Sequence, residues 1–191
     1  NDNQTISNNM FMIYFLSFFY MLIFFILPTQ IPFLLIDSFG ANEKTAGTII
    51  ALAFLSNALG AMSFSKLKQR YTFSTIYIIG LTIVAIGFTA IGLIDNILFF
   101  YFSSPILGFG GGIMMTNLTA WMLSCTTHEK RVKSVGYLTS ALFLGQFFSP
   151  IVFHPMVSLM EVQDFFFVIG GLLFSLVFLA TIYFLYKLKI S

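Results

Sequence analysis

The chain contains few charges and only one cysteine. Only 8% of its 191 residues are charged, against roughly a quarter in an ordinary soluble domain. Its 9 basic and 7 acidic side chains cannot cover the surface of a soluble globule of this size. A soluble enzyme, a disordered chain and a nucleic-acid-binding protein are therefore excluded. Cys125 alone can form neither an internal disulfide nor a cysteine metal cluster.

Long apolar segments are abundant instead. Hydrophobic residues make up 58% of the chain, and the mean hydropathy is +0.94. Six apolar segments are each long enough to cross a layer of about 30 Å, and no segments of alternating polarity suggest a barrel. We therefore predict an all-α polytopic membrane domain over residues 10–189, after a polar tail over residues 1–9. The predicted spans cover about 10–36, 46–65, 72–94, 97–123, 132–157 and 164–186.

Charged residues are sorted by sign between the two ends of these spans. Eight of the nine basic residues lie at one end, and five acids with Lys44 lie at the other. The positive-inside rule predicts that the basic end and both termini are cytoplasmic, in a plasma membrane of the bacterial inner-membrane type. The basic residues of the loops after spans two and four are Lys66, Lys68, Arg70, Lys130, Arg131 and Lys133.

Chemistry-bearing patterns are missing from the spans. No Asp, Glu, Lys or Arg lies near the middle of any span, which argues against a proton or ion path within this chain. The two histidines, His128 and His154, fall at opposite ends of the spans, and neither Gly-x-Ser-Gly nor His-Glu-x-x-His occurs. We therefore expect no enzymatic activity, no cofactor and no metal site.

Uncharged amides are the strongest polar groups within the spans. They are found in spans one, two, four and five only, which suggests that these four helices line a polar cavity while spans three and six face lipid. A buried amide needs a hydrogen-bond partner, so a purely structural role between helices is an equally good interpretation for each. The predicted cavity residues are Gln30, Asn57, Asn117 and Gln146, with weaker support for Tyr20 and Trp121.

Glycine and proline clusters suggest close packing or helix bending. Gly108 and Gly112 form a small-xxx-small pair that allows two helices to approach closely. Proline within a span frees a backbone carbonyl and can break the helix. The predicted packing or hinge residues are Gly108, Gly110, Gly111, Gly112, Pro28, Pro32 and Pro150.

Two segments resemble the C-terminal half of a major facilitator superfamily transporter. One is the glycine run 108–112 followed by Asn-Leu-Thr-Ala-Trp at 117–121, and the other joins Lys-Arg-Val-Lys-Ser-Val-Gly at 130–136 to Phe-Leu-Gly-Gln-Phe-Phe-Ser-Pro at 143–150. The resemblance implies a six-helix half built from two inverted three-helix repeats. It also implies that the first, second, fourth and fifth helices line a cavity. The family's basic signature after the second helix is present here only in part, without its acid and second glycine.

The resulting functional prediction is half of a secondary active transporter that moves a small solute by alternating access. The uncharged, Phe-rich spans slightly favour efflux of a hydrophobic or amphipathic compound. The expected partners are the lipid bilayer, the solute and an N-terminal six-helix half, with residues 1–9 as the end of the linker between halves. Two alternatives remain open: a scaffold or assembly subunit that does not transport, and a homodimeric six-helix channel or carrier.

Overall fold

The structure is a computed structural model that describes the backbone of residues 2–190 and the side chains of residues 9–182. All regular secondary structure in residues 2–190 is helical, which confirms the all-α prediction. Six helical segments are long and apolar enough to span a membrane, which confirms the predicted number of spans. Their bounds are Asn9–Ser38, Glu43–Lys68, Phe73–Gly92, Ile97–Ser124, His128–Val157 and Val162–Ile182.

Seven α-helices make up these spans, because span one is divided. Side-chain caps start two of the helices: Asn42 Oδ1 accepts the Thr45 N–H at 2.8 Å, and Thr72 Oγ1 accepts the Thr75 N–H at 3.3 Å. Short 3-10 turns, 97–99 and 128–130, precede the fourth and fifth spans. The helices are α1 (Asp2–Phe24), α2 (Ile26–Phe33), α3 (Glu43–Lys68), α4 (Phe73–Gly92), α5 (Phe100–Ser124), α6 (Arg131–Val157) and α7 (Val162–Ile190).

Two prolines account for the division of span one. Pro28 has no N–H to donate to the carbonyl of Phe24, and the α-helix is interrupted between Phe24 and Ile26. Pro32 lies inside α2, which is followed by a π-helical turn over Leu34–Ser38. The chain then reverses at Gly40, whose φ of 62° suits a residue without a side chain. The C-terminal part of span one therefore departs from regular α-helix within a segment that is long enough to cross a membrane.

Helix α5 is the centre of the bundle. It packs against α3 on one side and α4 on the other, while α7 packs on α4 and α1 pairs with α6. Three neighbours meet its glycine run directly, since a Cβ atom added there would overlap the α3 backbone at Gly108 and Gly112, the α4 backbone at Gly110 and the Phe24 ring at Gly111. The four glycines thus allow α5 to approach the backbones of α3 and α4 closely and to accommodate a side chain of α1.

Helix α4 is more enclosed than the sequence suggested. Half of its span is buried inside the chain, and Ile86 is its only exposed large apolar side chain among residues 73–92. The expectation that span three faces lipid was therefore wrong for about half of the span, because α4 lies between α5 and α7. Helix α7 fits the expectation better, with Leu172, Leu176 and Phe178 exposed.

Candidate functional site

Four aromatic and polar side chains meet near the middle of the spans. The Tyr20 ring, 3% exposed, stacks on Phe24 of α1 at 5.5 Å. Phe24 also meets Phe54 of α3 edge-on at 6.3 Å. We call Tyr20, Phe24, Phe54 and Asn57 the midspan cluster. It contains two of the predicted cavity residues, Tyr20 and Asn57.

Gly111 of α5 provides the space for this cluster. A Cβ atom at Gly111 would overlap the Phe24 ring and would lie 3.1 Å from Asn57 Nδ2. The missing side chain therefore allows an aromatic ring of α1 and an amide of α3 to converge on α5. Spans one, two and four, three of the four that carry amides, meet at this point.

The amide of Gln30 lies on α2, inside the proline-interrupted part of span one. Its side chain is half-buried and has no hydrogen bond among residues 9–182. Neighbouring Thr29 behaves differently, because its hydroxyl bonds to the carbonyl of Phe25 at 2.8 Å. Gln30 therefore presents an unpaired donor and acceptor beside a broken helix.

Gln146 on α6 combines a free amide with a free backbone carbonyl. Its side chain is half-buried and likewise has no hydrogen bond within the described side chains and backbone. Pro150 follows four residues later inside the helix and cannot donate to the Gln146 carbonyl. Two hydrogen-bonding groups are thus available at one position of α6, as in helices that line a polar cavity.

Asn117 does not face a cavity, and that prediction is corrected here. Its side chain is 0% exposed, and its Nδ2 donates to the carbonyl of Phe73 at 3.0 Å, which ties α5 to the start of α4. Its Oδ1 is buried without a partner in the described part of the chain. Because α4 is enclosed rather than turned to lipid, an amide on this side of α5 meets a helix and not a cavity.

Trp121, one turn beyond Asn117, also belongs to helix packing. Its indole stacks on Phe73 at 5.8 Å with an interplanar angle of 6°. Lys68 places its ammonium 4.4 Å from the centre of the Phe73 ring. Trp121 and Lys68 thus hold the beginning of α4 at the basic end of the bundle, away from the midspan cluster.

The charged side chains of the loops occupy the two ends of the bundle, as their positions in the sequence require. Among residues 9–182 every Asp and Glu and all the basic side chains except half-buried Lys68 are exposed. No ion pair joins them within that part of the chain. The described side chains therefore leave the middle of the spans uncharged, and only the amides and hydroxyls provide polarity there.

Large surfaces of the amide-bearing helices remain uncovered by the rest of the chain. Only 17% of span two and 28% of span five are buried, against 56% of span four. The exposed side chains of α3 and α6 are mostly large and apolar, for example Phe54, Leu59, Phe143 and Phe147. The uncovered faces adjoin the midspan cluster and Gln146, and together they are the candidate solute-facing surface.

Sequence reasoning missed Phe24 and Phe54, because a phenylalanine in a Phe-rich span is no signal by itself among 26 phenylalanines. The position of Gly111 could have indicated them. Gly111 is not a member of the small-xxx-small pair Gly108 and Gly112. A glycine outside such a pair leaves space for a large side chain of a third helix.

Comparison with known proteins identifies the family of this chain. The family model described as Major Facilitator Superfamily matches residues 13–189. A 109-residue segment is 26% identical to "Multidrug resistance protein 2" of Bacillus subtilis (strain 168), covering 57% of this chain and 27% of that protein. The match thus spans only 27% of the length of that relative. Since the family model covers most of the sequence, the chain belongs to the Major Facilitator Superfamily of membrane transporters.

Proposed function

We propose that this chain forms the C-terminal six-helix half of a secondary active transporter that exports a hydrophobic or amphipathic solute by alternating access. One observation carries the proposal: the mid-depth amides Asn57 and Gln146 lie on spans two and five, of which only 17% and 28% are buried within the chain. Gln146 of α6 has an unpaired amide and a carbonyl that lacks its usual helical donor because of Pro150, and Asn57 of α3 converges with Phe24 on Gly111. A second six-helix half would cover these faces and enclose the polar groups between the two halves.

The preference for an apolar or amphipathic solute follows from the surface itself. Exposed phenylalanines, among them Phe54, Phe143 and Phe147, lie on the helices that carry Asn57 and Gln146, and the Asp and Glu residues among residues 9–182 lie at the ends of the spans. An apolar pocket with a few placed hydrogen-bonding groups suits a ligand with a large apolar body and a small polar part. The Bacillus relative is named a multidrug resistance protein, and this name supports export over uptake.

Energy coupling is proposed to reside outside this chain. A proton-coupled carrier needs a titratable group at depth, and the spans described here have none. If the complete transporter is proton-driven, substituting each acid of the first half should abolish the pH-dependent component of transport. Transport unaffected by all of those substitutions would contradict the assignment of coupling to that half.

Transport measurements on the complete protein in proteoliposomes test the proposed surface. A fluorescent hydrophobic amine serves as the solute, and its outward movement is recorded for Gln146→Ala and Asn57→Ala at matched protein levels. We expect the half-saturation concentration or the maximal rate to change about tenfold while expression stays normal. Gln69→Ala, which removes an exposed loop amide, is the matched control. Unchanged transport in both span variants would favour the scaffold interpretation.

The chain expressed alone separates the half-transporter from a homodimeric carrier. A half that requires its partner should bind to the bilayer but move no dye, and co-expression with an N-terminal half should restore movement. Dye movement by the purified chain alone, together with a dimeric mass, would replace the proposal with the homodimeric alternative.

The proposed orientation can be tested with the chain's own thiol. Cys125 is half-buried at the basic end of α5, and Leu159 is largely exposed in the loop at the other end. In right-side-out membranes a membrane-impermeant maleimide should label Leu159→Cys in a Cys125→Ser background, but should not label native Cys125 until the membrane is opened. The reverse pattern would place the basic end outside.

A further inference from the structure

A cavity lies away from the proposed solute-facing surface, at the acidic end of the α4–α5 hairpin. Its volume is about 370 Å³, within the range of small-ligand sites. Residues from the end of α4, the following loop and the first turns of α5 line it. The lining residues are Ala90, Leu93, Ile94, Asp95, Phe99, Phe102, Ser103 and Ile106.

The wall of this cavity changes from apolar to acidic along its length. Leu93, Phe99 and Phe102 form an exposed apolar rim, and the two phenylalanines are 61% and 71% exposed. Asp95 is the only charged residue among the lining residues. Phe99, Phe102 and Ile106 recur at helical spacing, so they fall on one side of the start of α5. The cavity therefore offers an apolar surface for a chain and a negative charge for the group at its end.

An unpaired buried hydroxyl also lines the cavity. Ser103 is 4% exposed, and its Oγ has no hydrogen-bond partner in the described structure. Many hydroxyls in the spans bond to the carbonyl four residues earlier, as Ser17 does at 2.7 Å and Thr82 at 2.8 Å, but Ser103, Ser104, Thr89 and Ser149 are buried without a partner among the described residues. Ser103 departs from this pattern, and a buried hydroxyl without a partner is unfavourable unless a ligand supplies one.

Three contacts fix the shape of the cavity. Asn96 Oδ1 accepts the Leu98 N–H at 3.0 Å and holds the 3-10 turn that presents Phe99. The Gln163 side chain donates to the carbonyl of Ile94, which fastens the loop to the start of α7. Phe167 of α7 packs against the backbone of Gly92 just before the loop. Asp95 is thus carried on a braced turn rather than on a free loop.

We propose that this cavity binds an organic ammonium group attached to an apolar chain. The ammonium would lie between the Asp95 carboxylate and the Phe99 and Phe102 rings, which attract cations through their faces. The Ser103 Oγ would accept a hydrogen bond from an ammonium N–H, or a weak C–H···O contact from the methyl groups of a quaternary ammonium, and the chain would follow the apolar rim towards Ile106. An aminophospholipid headgroup and a free alkylammonium compound share this chemistry. This site is independent of the proposed solute path, since it involves neither the midspan cluster nor Gln146.

Spin-labelled probes test the proposal on the full chain. The protein is reconstituted in diglucosyldiacylglycerol, a host lipid without an ammonium group, with trace spin-labelled phosphatidylethanolamine, phosphatidylglycerol or alkyltrimethylammonium. The fraction of each probe that is motionally restricted reports its affinity for the protein surface. We expect at least one ammonium probe to be retained about fivefold more strongly than phosphatidylglycerol, a ratio in keeping with one exposed charge pair and one cation–π contact.

Three variants assign the preference to the cavity. Asp95→Asn should reduce the ratio to about one, and Ser103→Ala should reduce it about twofold. Asp164→Asn removes another exposed acid of the same end and should leave it unchanged. Asp95-dependent retention of phosphatidylethanolamine alone identifies a lipid, and retention of alkyltrimethylammonium alone identifies a solute. Equal retention of all three probes by the wild-type protein, or a preference that survives in Asp95→Asn, would overturn the proposal. Circular dichroism and gel filtration verify that each variant is folded.

Discussion

Helix pairs α4–α5 and α1–α6 solve the same packing problem with different residues. Helices α4 and α5 approach each other at Gly80 and Gly110, and their one buried amide, Asn117, bonds across the contact. Helices α1 and α6 share a single glycine contact at Gly145, and span one and α6 each contain two prolines. The first pair is closed around its polar group, whereas the second leaves Gln146 unpaired.

The difference indicates that one helix pair mainly stabilises the apolar bundle while the other keeps polar groups available for transport. In lipid there is little hydrophobic gain from helix contact, so close backbone approach and internal hydrogen bonds provide much of the stability. Helix α5 approaches the backbones of α3 and α4 closely and has a side-chain hydrogen bond to the start of α4. Helix α6 obtains fewer of either and retains groups that a solute or a second half can use. Stability and transport should therefore respond to substitutions in different pairs.

The largest effect is expected from Gly112→Ala on α5. The new methyl group would overlap the Asn57 carbonyl and lie 2.9 Å from the Ala61 nitrogen, both backbone atoms of α3 that cannot move alone. We expect the free energy of unfolding in detergent to fall by about 3 kcal/mol, at the upper end for overpacking. Thermal melting of the purified protein measures this change.

Gly171→Ala on α7 is the control for that substitution. A Cβ atom at Gly171 would meet nothing within 4 Å, so the gain in helix propensity, at most about 1 kcal/mol, should leave the melting temperature unchanged or raise it slightly. Equal destabilisation by both variants would show that glycine matters through the flexibility of the helices and not through the α3–α5 contact.

A smaller loss is expected from Asn117→Ala. The variant removes the donor to the Phe73 carbonyl, and we expect the free energy of unfolding to fall by about 1–2 kcal/mol. Gln146→Ala, which removes an amide without a partner, should change it by less than about 0.5 kcal/mol. Chemical unfolding of both variants in the same detergent makes the comparison. If Gln146→Ala were as destabilising as Asn117→Ala, the two helix pairs would not differ in the way described.

The chain's single tryptophan reports on the basic end of the α4–α5 pair. Phe73→Leu keeps most of the apolar volume but removes the ring that lies between Trp121 and Lys68. We expect a loss of about 1 kcal/mol from the aromatic and cation–π contacts, with a red shift of the Trp121 emission. Phe147→Leu on the exposed face of α6 should change neither quantity. An unshifted emission in Phe73→Leu would mean that Trp121 is held by other neighbours.

The number of spans, their ends and the family could be predicted from sequence because each depends on local composition. Asn42 lies just before an apolar run, where asparagine is a common helix cap, and it does accept the Thr45 N–H. The direction in which an amide points was not predictable in the same way. Asn117 and Gln146 look alike in sequence, and only the position of α4 beside α5 decides that one is buried and paired.

Cavities formed between segments could likewise not be predicted from the sequence. Asp95 was recognised as one of five acids that mark an end of the bundle, but its neighbours come from two helices whose approach depends on glycines. Phe24 and Phe54 meet only because Gly111 leaves space on a third helix. Composition and periodicity describe one helix at a time, whereas these sites depend on three.

The smallest effect is expected from Pro150→Ala, which tests the free carbonyl of α6. The new N–H can bond to the Gln146 carbonyl and complete the helix, so we expect stability to rise by about 1 kcal/mol or less and amide hydrogen exchange around 146–150 to slow. Pro105→Ala on α5 is the matched control. Its surroundings are already enclosed by Leu107 and Gly108 contacts with α4 and α3, so exchange there should change little.

If the half-transporter uses the free carbonyl or a bend at this point, Pro150→Ala should also slow dye export in the complete protein, while Pro105→Ala should not. Slower exchange without any change in export would make Pro150 a tolerated irregularity of α6 and would leave the amide of Gln146 as its functional group.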